Sequence, residues 1–397
     1  KFNFGIEMHQ LKISVKSVYI SIAAFLTINN LVYNTLPIIL GGLATQRGFN
    51  EAQIGVLGST FLAGQMLTNI TGPLWVGRVN WKITVSFAML IFAIAMLLSA
   101  HVNFSLIAIC YLIAGGTTGI SLACMFCLIS NMDNPVRAYS MAIIAQCVIA
   151  GILVIVFQSF LLPKYGLEGL SYLIATLILI SIPFVRWVPM NLKAQLEDSN
   201  KSKIKENLKF KISFSFWAFI GLIGIIIYYT GQTGIWAFVE RIGNSRGFDP
   251  DFIGIVAAGS LILSGLGAWA ADLTGNKLGN FKPLVIGILI FIIAMIILSA
   301  TNDKYLYFIA IIIYSAAWNY MTPFQLLVVK SADKSGTYAS MIPAFQSIGA
   351  AVGPVSVGLL IVDGGSYINA YLIAIALALL CMVFFWCAHI NRAPKGT

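Results

Sequence analysis

Long apolar runs separated by short charged islands set the pattern of this chain almost from end to end. Twelve runs are traceable, over about residues 17–45, 52–76, 83–100, 104–131, 136–162, 167–187, 213–240, 250–271, 283–300, 304–329, 336–361 and 367–388. Each is close to the roughly 20 residues that a helix needs to cross a hydrocarbon core of about 30 Å. In lipid only helices and closed barrels satisfy their own backbone, and unbroken apolar runs of this length are helical rather than alternating. The pattern predicts an all-α membrane protein with 12 transmembrane helices.

The islands themselves repeat. Arg47-Gly48-Phe49-Asn50 is followed by Ile54-Gly55, and Arg246-Gly247-Phe248-Asp249 by Ile253-Gly254, an offset of 199 residues. The same offset carries Arg78 onto Lys277 and Tyr139 onto Tyr338. One offset at separated places marks a duplicated half, and two halves of six helices in one orientation are related by an axis along the membrane normal. The expected organisation is an N-terminal six-helix bundle over 1–187, a cytoplasmic linker over 188–212 and a C-terminal six-helix bundle over 213–397. The linker holds the long polar stretch, 191–211, in which six lysines outnumber Glu197, Asp198 and Glu206. It is read as a solvated tether, with anionic headgroups as an alternative contact.

Composition narrows the class. The chain has 397 residues, 59% of them hydrophobic and only 10% charged, which excludes an ordinary soluble domain. If the N-terminus is inside, 19 of the 24 Lys and Arg fall on the side of the termini and linker, so both termini are expected in the cytoplasm. The net charge of +10 is then a topology signal and gives no support to nucleic-acid binding. The six cysteines lie inside apolar runs and are read as small hydrophobes, without disulfides, a metal site or another cofactor. The first run is too long for a cleavable signal peptide. Short loops and compact length point to a bacterial inner membrane and a multi-pass protein acting as a monomer.

With this layout the chain resembles the major facilitator superfamily, whose signature loop joins the second and third helices of each half. That loop carries a Gly, then Asp, a basic residue, Gly and further basics. The second-half stretch "ADLTGNKLG" matches at Asp272, Gly275 and Lys277, with Leu273 where a basic residue is expected. The first-half stretch "GPLWVGRVNWK" keeps Gly72, Arg78 and Lys82, with Gly77 at the Asp position and Asn80 at the second Gly. The resemblance implies alternating access, and a cytoplasmic latch built on Asp272, Lys277 and Arg78 that holds the outward-open state. The family's antiporter pattern in the fifth helix is absent from "AQCVIAGILVIVFQSF"; Gly349, Gly353, Pro354 and Gly358 of the eleventh run are read as close packing and a bend.

Polar side chains within hydrocarbon are costly unless they face the bundle interior or a wet cavity. Asn29, Asn30, Tyr33 and Asn34 of the first run lie 199 residues before Tyr228, Tyr229, Gln232 and Thr233 of the seventh. Helical spacing puts Asn30, Tyr33, Asn34 and Pro37 on one stripe, and Tyr229, Gln232, Thr233, Trp236 and Glu240 on its counterpart. Gln146 and Gln346, each five residues after a methionine, read as a further pair, with Trp318, Asn319, Tyr320, Gln325, Thr117, Thr118 and Ser121 as additional polar positions. The candidate solute site is Asn30, Tyr33, Asn34, Gln146, Tyr229, Gln232, Trp236, Asn319 and Gln346. Interhelical hydrogen bonds worth about 0.6–2 kcal/mol are the plainer alternative for any one of them. Glu240 shares the stripe but lies near the outer helix end; it is expected to titrate with transport, to pair with Arg47 or Arg246 as an outer gate, or to be a solvated surface acid that only marks the helix end.

No charged side chain sits in the middle of a run, and the lack of an embedded cation argues against a strongly anionic solute. Aromatic and amide groups suit a small polar, zwitterionic or weakly cationic organic solute. The expected function is secondary active transport, with protons as a candidate coupling ion and symport as the mode. The alternative is a proton-driven multidrug exporter of amphipathic compounds with Glu240 as its proton site. A polytopic enzyme has no nucleophile, metal set or acid/base pair to work with, and a receptor would need a larger soluble part.

Overall fold

The computed structural model describes residues 15–130, 132, 135–191, 215–275, 277–332, 337–361 and 366–391. The lysine-rich part of the linker lies outside them. Twelve helical crossings follow in chain order. α1 covers 15–47 in three pieces, Val15–Asn29, Leu31–Asn34 and Leu36–Arg47. α2 is Glu51–Trp75, α3 Trp81–Ser99 and α4 Phe104–Ser130. α5 runs from Pro135–Ile155 into a π-helical end, Val156–Leu161, and α6 lies within Leu162–Ser181 after a break at Gly166, φ 63°. α7 joins Phe216–Ala237 to Val239–Ser245, and α8 joins Pro250–Leu263 to Gly265–Thr274. α9 is Lys282–Ala300, α10 Lys304–Ala332, α11 Thr337–Leu360 and α12 Ile368–Ile390.

Among the described residues, 8 stretches are long and apolar enough to cross a membrane on length and composition alone. The difference from twelve has simple causes. α5 and α6 form one apolar stretch, Met141–Trp187. α1 is cut into short pieces, while α2 and α10 are diluted by polar residues such as Gln53, Gln65, Asn69, Asn319 and Gln325. Large apolar side chains on the outside, such as Leu74, Phe87, Ile144 and Leu359, suit contact with lipid tails.

The repeated Arg-Gly-Phe loop folds the same way twice. Gly48 and Gly247 take left-handed conformations, φ 67° and 72°, that end one helix. Asn50 and Asp249 then cap the next, accepting hydrogen bonds from Gln53 N and Asp251 N. Arg47 donates to Ala100 O at the end of α3, and Arg246 to Leu298 O in the last turn of α9. A cation on the exposed carbonyls of a helix C-terminus is favourable, so the motif is repeated because it ties the fold of each half.

Within the first half α1 packs on α5, α2 and α3 on α4, and α3 on α6; within the second, α7 packs on α11 and α12, and α10 on α8 and α9. The main contacts between halves are α2 with α11 and α5 with α8, which the repeat makes equivalent, and α1 with α7. One membrane face, the Arg47 face, carries the Arg47 and Arg246 loops, and the opposite one, the linker face, carries the linker.

Candidate functional site

The predicted polar stripes come together at mid-depth, with exceptions. Asn30, where α1 breaks with φ −94° and ψ 1°, donates to Gln146 Oε1 of α5 at 2.9 Å. Trp236 Nε1 of α7 donates across the halves to Tyr33 O at 3.1 Å. The Tyr33 ring meets Trp318 of α10 edge-on at 6.2 Å, and Trp318 Nε1 donates to the Tyr229 hydroxyl at 3.1 Å. One half-buried tyrosine of the first half is therefore enclosed by three aromatics of the second. The Tyr33 phenol also lies in the electrostatic reach of Gln232, its repeat mate.

Gln232 itself is spent inside its own half. Its Nε2 donates to the Tyr314 hydroxyl at 3.0 Å, that hydroxyl donates back to Gln232 O at 2.5 Å, and Oε1 is buried without a partner. It holds α7 against α10, with the Tyr33 phenol of the other half in reach of the same side chain. Asn34 is buried with Nδ2 unpartnered, while Asn319 and Gln346 are half-buried and form no hydrogen bond to the rest of the set among the described residues. The sequence pattern undervalued Trp318, which bridges Tyr33 and Tyr229. Its place beside Asn319 in the middle of α10 was the available signal.

On the Arg47 face the halves are sealed. Arg241 of α7 donates to Glu51 Oε1 of α2 at 2.8 Å, an ion pair between the halves. Glu240 is 6% exposed and lies against Gly41 of α1, its own repeat mate; a Cβ at Gly41 would come within 1.9 Å of Glu240 Oε2. Close backbone approach closes the rest: a Cβ on Gly55 would meet Pro354 O at 2.5 Å, and one on Gly358 would meet Glu51 O at 2.6 Å. The expected pairing of Glu240 with Arg47 or Arg246 does not occur. Both arginines are held by helix-end carbonyls in their own halves, and Arg246 also donates to the Tyr371 hydroxyl at 3.1 Å. The residue that reaches across is the neighbour, Arg241.

The linker face is different. α4 and α10 share at most marginal contact among the described residues, whereas α2 and α11 stay joined there by Asn69 Nδ2 donating to Ser347 Oγ at 2.8 Å. Arg78, Asp272 and Lys277 are exposed, and among the described residues no ion pair joins Asp272 to a cation. Gly275 and Gly279, φ 46° and 73°, shape the second-half loop, while Asn80 of the first caps α3 by accepting from Lys82 N and Ile83 N. The six cysteines are free, and no metal-holding cluster occurs among the described residues.

Sequence comparison agrees with this architecture: the Major Facilitator Superfamily matches over residues 20–354 and again over 221–397. The chain belongs to the Major Facilitator Superfamily. It is accordingly a multi-pass transporter and not an enzyme. No curated protein matches it. The inward open xylose transporter XylE from E. coli superposes with a TM-score of 0.73 at 16% identity, covering 95% of this chain and 97% of that one. The nucleoside transporter NupG gives 0.71 at 15% identity, covering 94% and 98%. A bacterial homologue of the human lysosomal transporter Spinster, inward-facing and unoccupied, gives 0.70 at 15%, covering 96% and 99%. These likenesses concern the fold.

Proposed function

We propose that this facilitator carries a small polar, zwitterionic or weakly cationic organic solute by alternating access, at a mid-depth site contributed by both halves. The supporting observation is the composition of that site. Tyr33, Tyr229, Trp236 and Trp318 bring rings together beside the Asn30–Gln146 amide pair, with no charged side chain among them. Rings and amides bind sugars, nucleoside-like molecules and onium groups by stacking and hydrogen bonding, whereas a free carboxylate or phosphate would lack a cation. Asn319 and Gln346 extend the same wall, and Asn34 and Gln232 set the helices that carry it. Asp272, Lys277 and Arg78 form the linker-face latch in the opposite state. The linker face is cytoplasmic, with both termini, in a bacterial inner membrane, and the transporter works as a monomer with protons as its coupling ion.

The test is uptake competition in proteoliposomes across amino acids, sugars, nucleosides, organic acids and cationic dyes. Uncharged or zwitterionic polar compounds are expected to compete; displacement by a dicarboxylate or a phosphate ester alone would refute the assignment. The second reading, a proton-driven exporter of amphipathic compounds, draws on the burial of Glu240. It requires the dyes to outcompete every polar metabolite in the same panel.

A further inference from the structure

The Glu240 carboxyl occupies a place that solute binding does not explain. It is 6% exposed, its Oε2 has no hydrogen-bond donor, and it fills the notch left by Gly41, with Cδ only 2.2 Å from where a Cβ there would sit. The groups facing it are few. Arg241, on the same helix, is turned to Glu51 of α2; α10 presents Tyr307, whose hydroxyl donates to Val239 O at 2.7 Å; the start of α12 presents Tyr367. α1 presents Gly41 and no titratable group at the contact. A carboxylate here would bury Oε2 without a donor, its nearest cation already matched by another acid. A single proton removes that cost.

The burial exists only while the seam is shut. Gly41 belongs to one half and Glu240 to the other, so parting the halves returns the carboxyl to water on the Arg47 face, where a carboxylate is charged at neutral pH. In the shut state residues 34–43 of α1 and 231–240 of α7 are buried throughout, which leaves the carboxyl no aqueous path to the linker face.

We propose that Glu240 is a proton switch on the Arg47-face gate: its carboxylate takes one proton from that medium as the seam closes over Gly41, and returns it to the same medium on opening. The proton gates the transporter and is not the proton it carries. The proposal rests on the alternating-access reading above. The sealed state binds one proton more than the open state, so acid on the Arg47 face favours sealing. The limit for one proton is about tenfold in the sealed-to-open ratio per pH unit.

The test places bio-orthogonal spin labels at Lys164 and Asn244 on the Arg47 face, and at Ile83 and Leu278 on the linker face, in the full chain. Distances are followed from about pH 5.5 to 8.5, with and without a solute identified by the competition panel. The expected result is a longer Arg47-face distance as pH rises, a fixed sealed distance in Glu240→Gln, and an open distance at every pH in Gly41→Ala, whose methyl displaces the carboxyl. Pairs that respond to solute but not to pH, or a Glu240→Gln variant that keeps the wild-type pH response, would overturn the switch and leave the transport reading intact. Pairs that move under neither condition would overturn both.

Discussion

Removing the Arg241–Glu51 ion pair should open the Arg47 face without touching the solute site. The pair is 2.8 Å long, joins different halves and is about a fifth exposed at each end, 19% and 22%. It joins the two halves across the sealed face, so its loss is expected to fall on the sealed-to-open equilibrium. Hydrogen bonds to charged groups contribute about 1.5–3 kcal/mol; discounted for solvent at a partly exposed site, about 1–2 kcal/mol remains. That is a factor of roughly 5–30 in the equilibrium. Glu51 also stands in the first turn of α2, where a carboxylate favours the helix in either state. A double-mutant cycle with Glu51→Ala, Arg241→Ala and both together cancels that term. The readout is the fraction of sealed molecules from label distances across the Arg47 face, at fixed pH because Glu240 is adjacent. A coupling energy below about 0.5 kcal/mol, the limit at which neighbouring substitutions count as independent, would show that the contact does not hold the gate. A charge exchange, Glu51→Arg with Arg241→Glu, should recover part of the sealed population.

Trp318→Phe keeps an aromatic ring opposite Tyr33 but removes the donor to Tyr229; solute affinity should fall by roughly 2–10-fold, a lost neutral hydrogen bond, with the sealed fraction unchanged. Asn30→Leu removes the donor to Gln146 Oε1 and should weaken solute binding more than replacement of both residues by Leu, measured by equilibrium titration. Gly358→Val puts side-chain atoms where Glu51 O lies within 2.6 Å of a Cβ, so the Arg47 face should stay open and uptake cease while the protein still inserts and binds solute from that face. Asp272→Asn should leave the sealed state described here unaltered and deplete the opposite one, seen as a higher sealed fraction at the same pH; an unchanged fraction would remove Asp272 from the latch.

The crossings were readable because a lipid solvent imposes one rule on every residue of a span, and the rule fails only where spans are interrupted for a reason. α1 breaks at Asn30 and Thr35 and α7 at Phe238, so the hydropathy pattern saw continuous runs where the chain bends beside the site. The repeat was readable as well, but its most conspicuous copies were misleading about function. Arg47 and Arg246 recur because each ties a helix end in its own half, and a local tie leaves the same trace in sequence as a gate would. Gln232 shows a related point: an amide on a cavity-facing stripe can also bind a neighbour such as Tyr314, a pairing set by tertiary packing that no spacing rule contains.

The offset also defines the set of contacts on the axis itself. Residues near a twofold axis lie beside their own mates, so an offset of 199 pairs Tyr33 with Gln232, and Gly41 with Glu240, as neighbours in space as well as counterparts in sequence. Where mates are alike, such a contact is symmetric and cannot favour one state except through packing. Where they differ, it can. Gly41-Gly42 of α1 stands opposite Glu240-Arg241 of α7 in the repeat, so one half supplies the notch and the other supplies an acid that fills it and a cation that reaches Glu51. Exchanging the asymmetry is the sharpest check on this: Gly41→Glu combined with Glu240→Gly should rebuild the acid-in-notch contact from the other half and restore pH-dependent sealing, whereas Gly41→Glu alone places two carboxyls in one notch and should hold the gate open. If the exchanged protein seals no better than the single variant, the contact depends on features of α7 beyond the notch, and the axis argument fails at this pair.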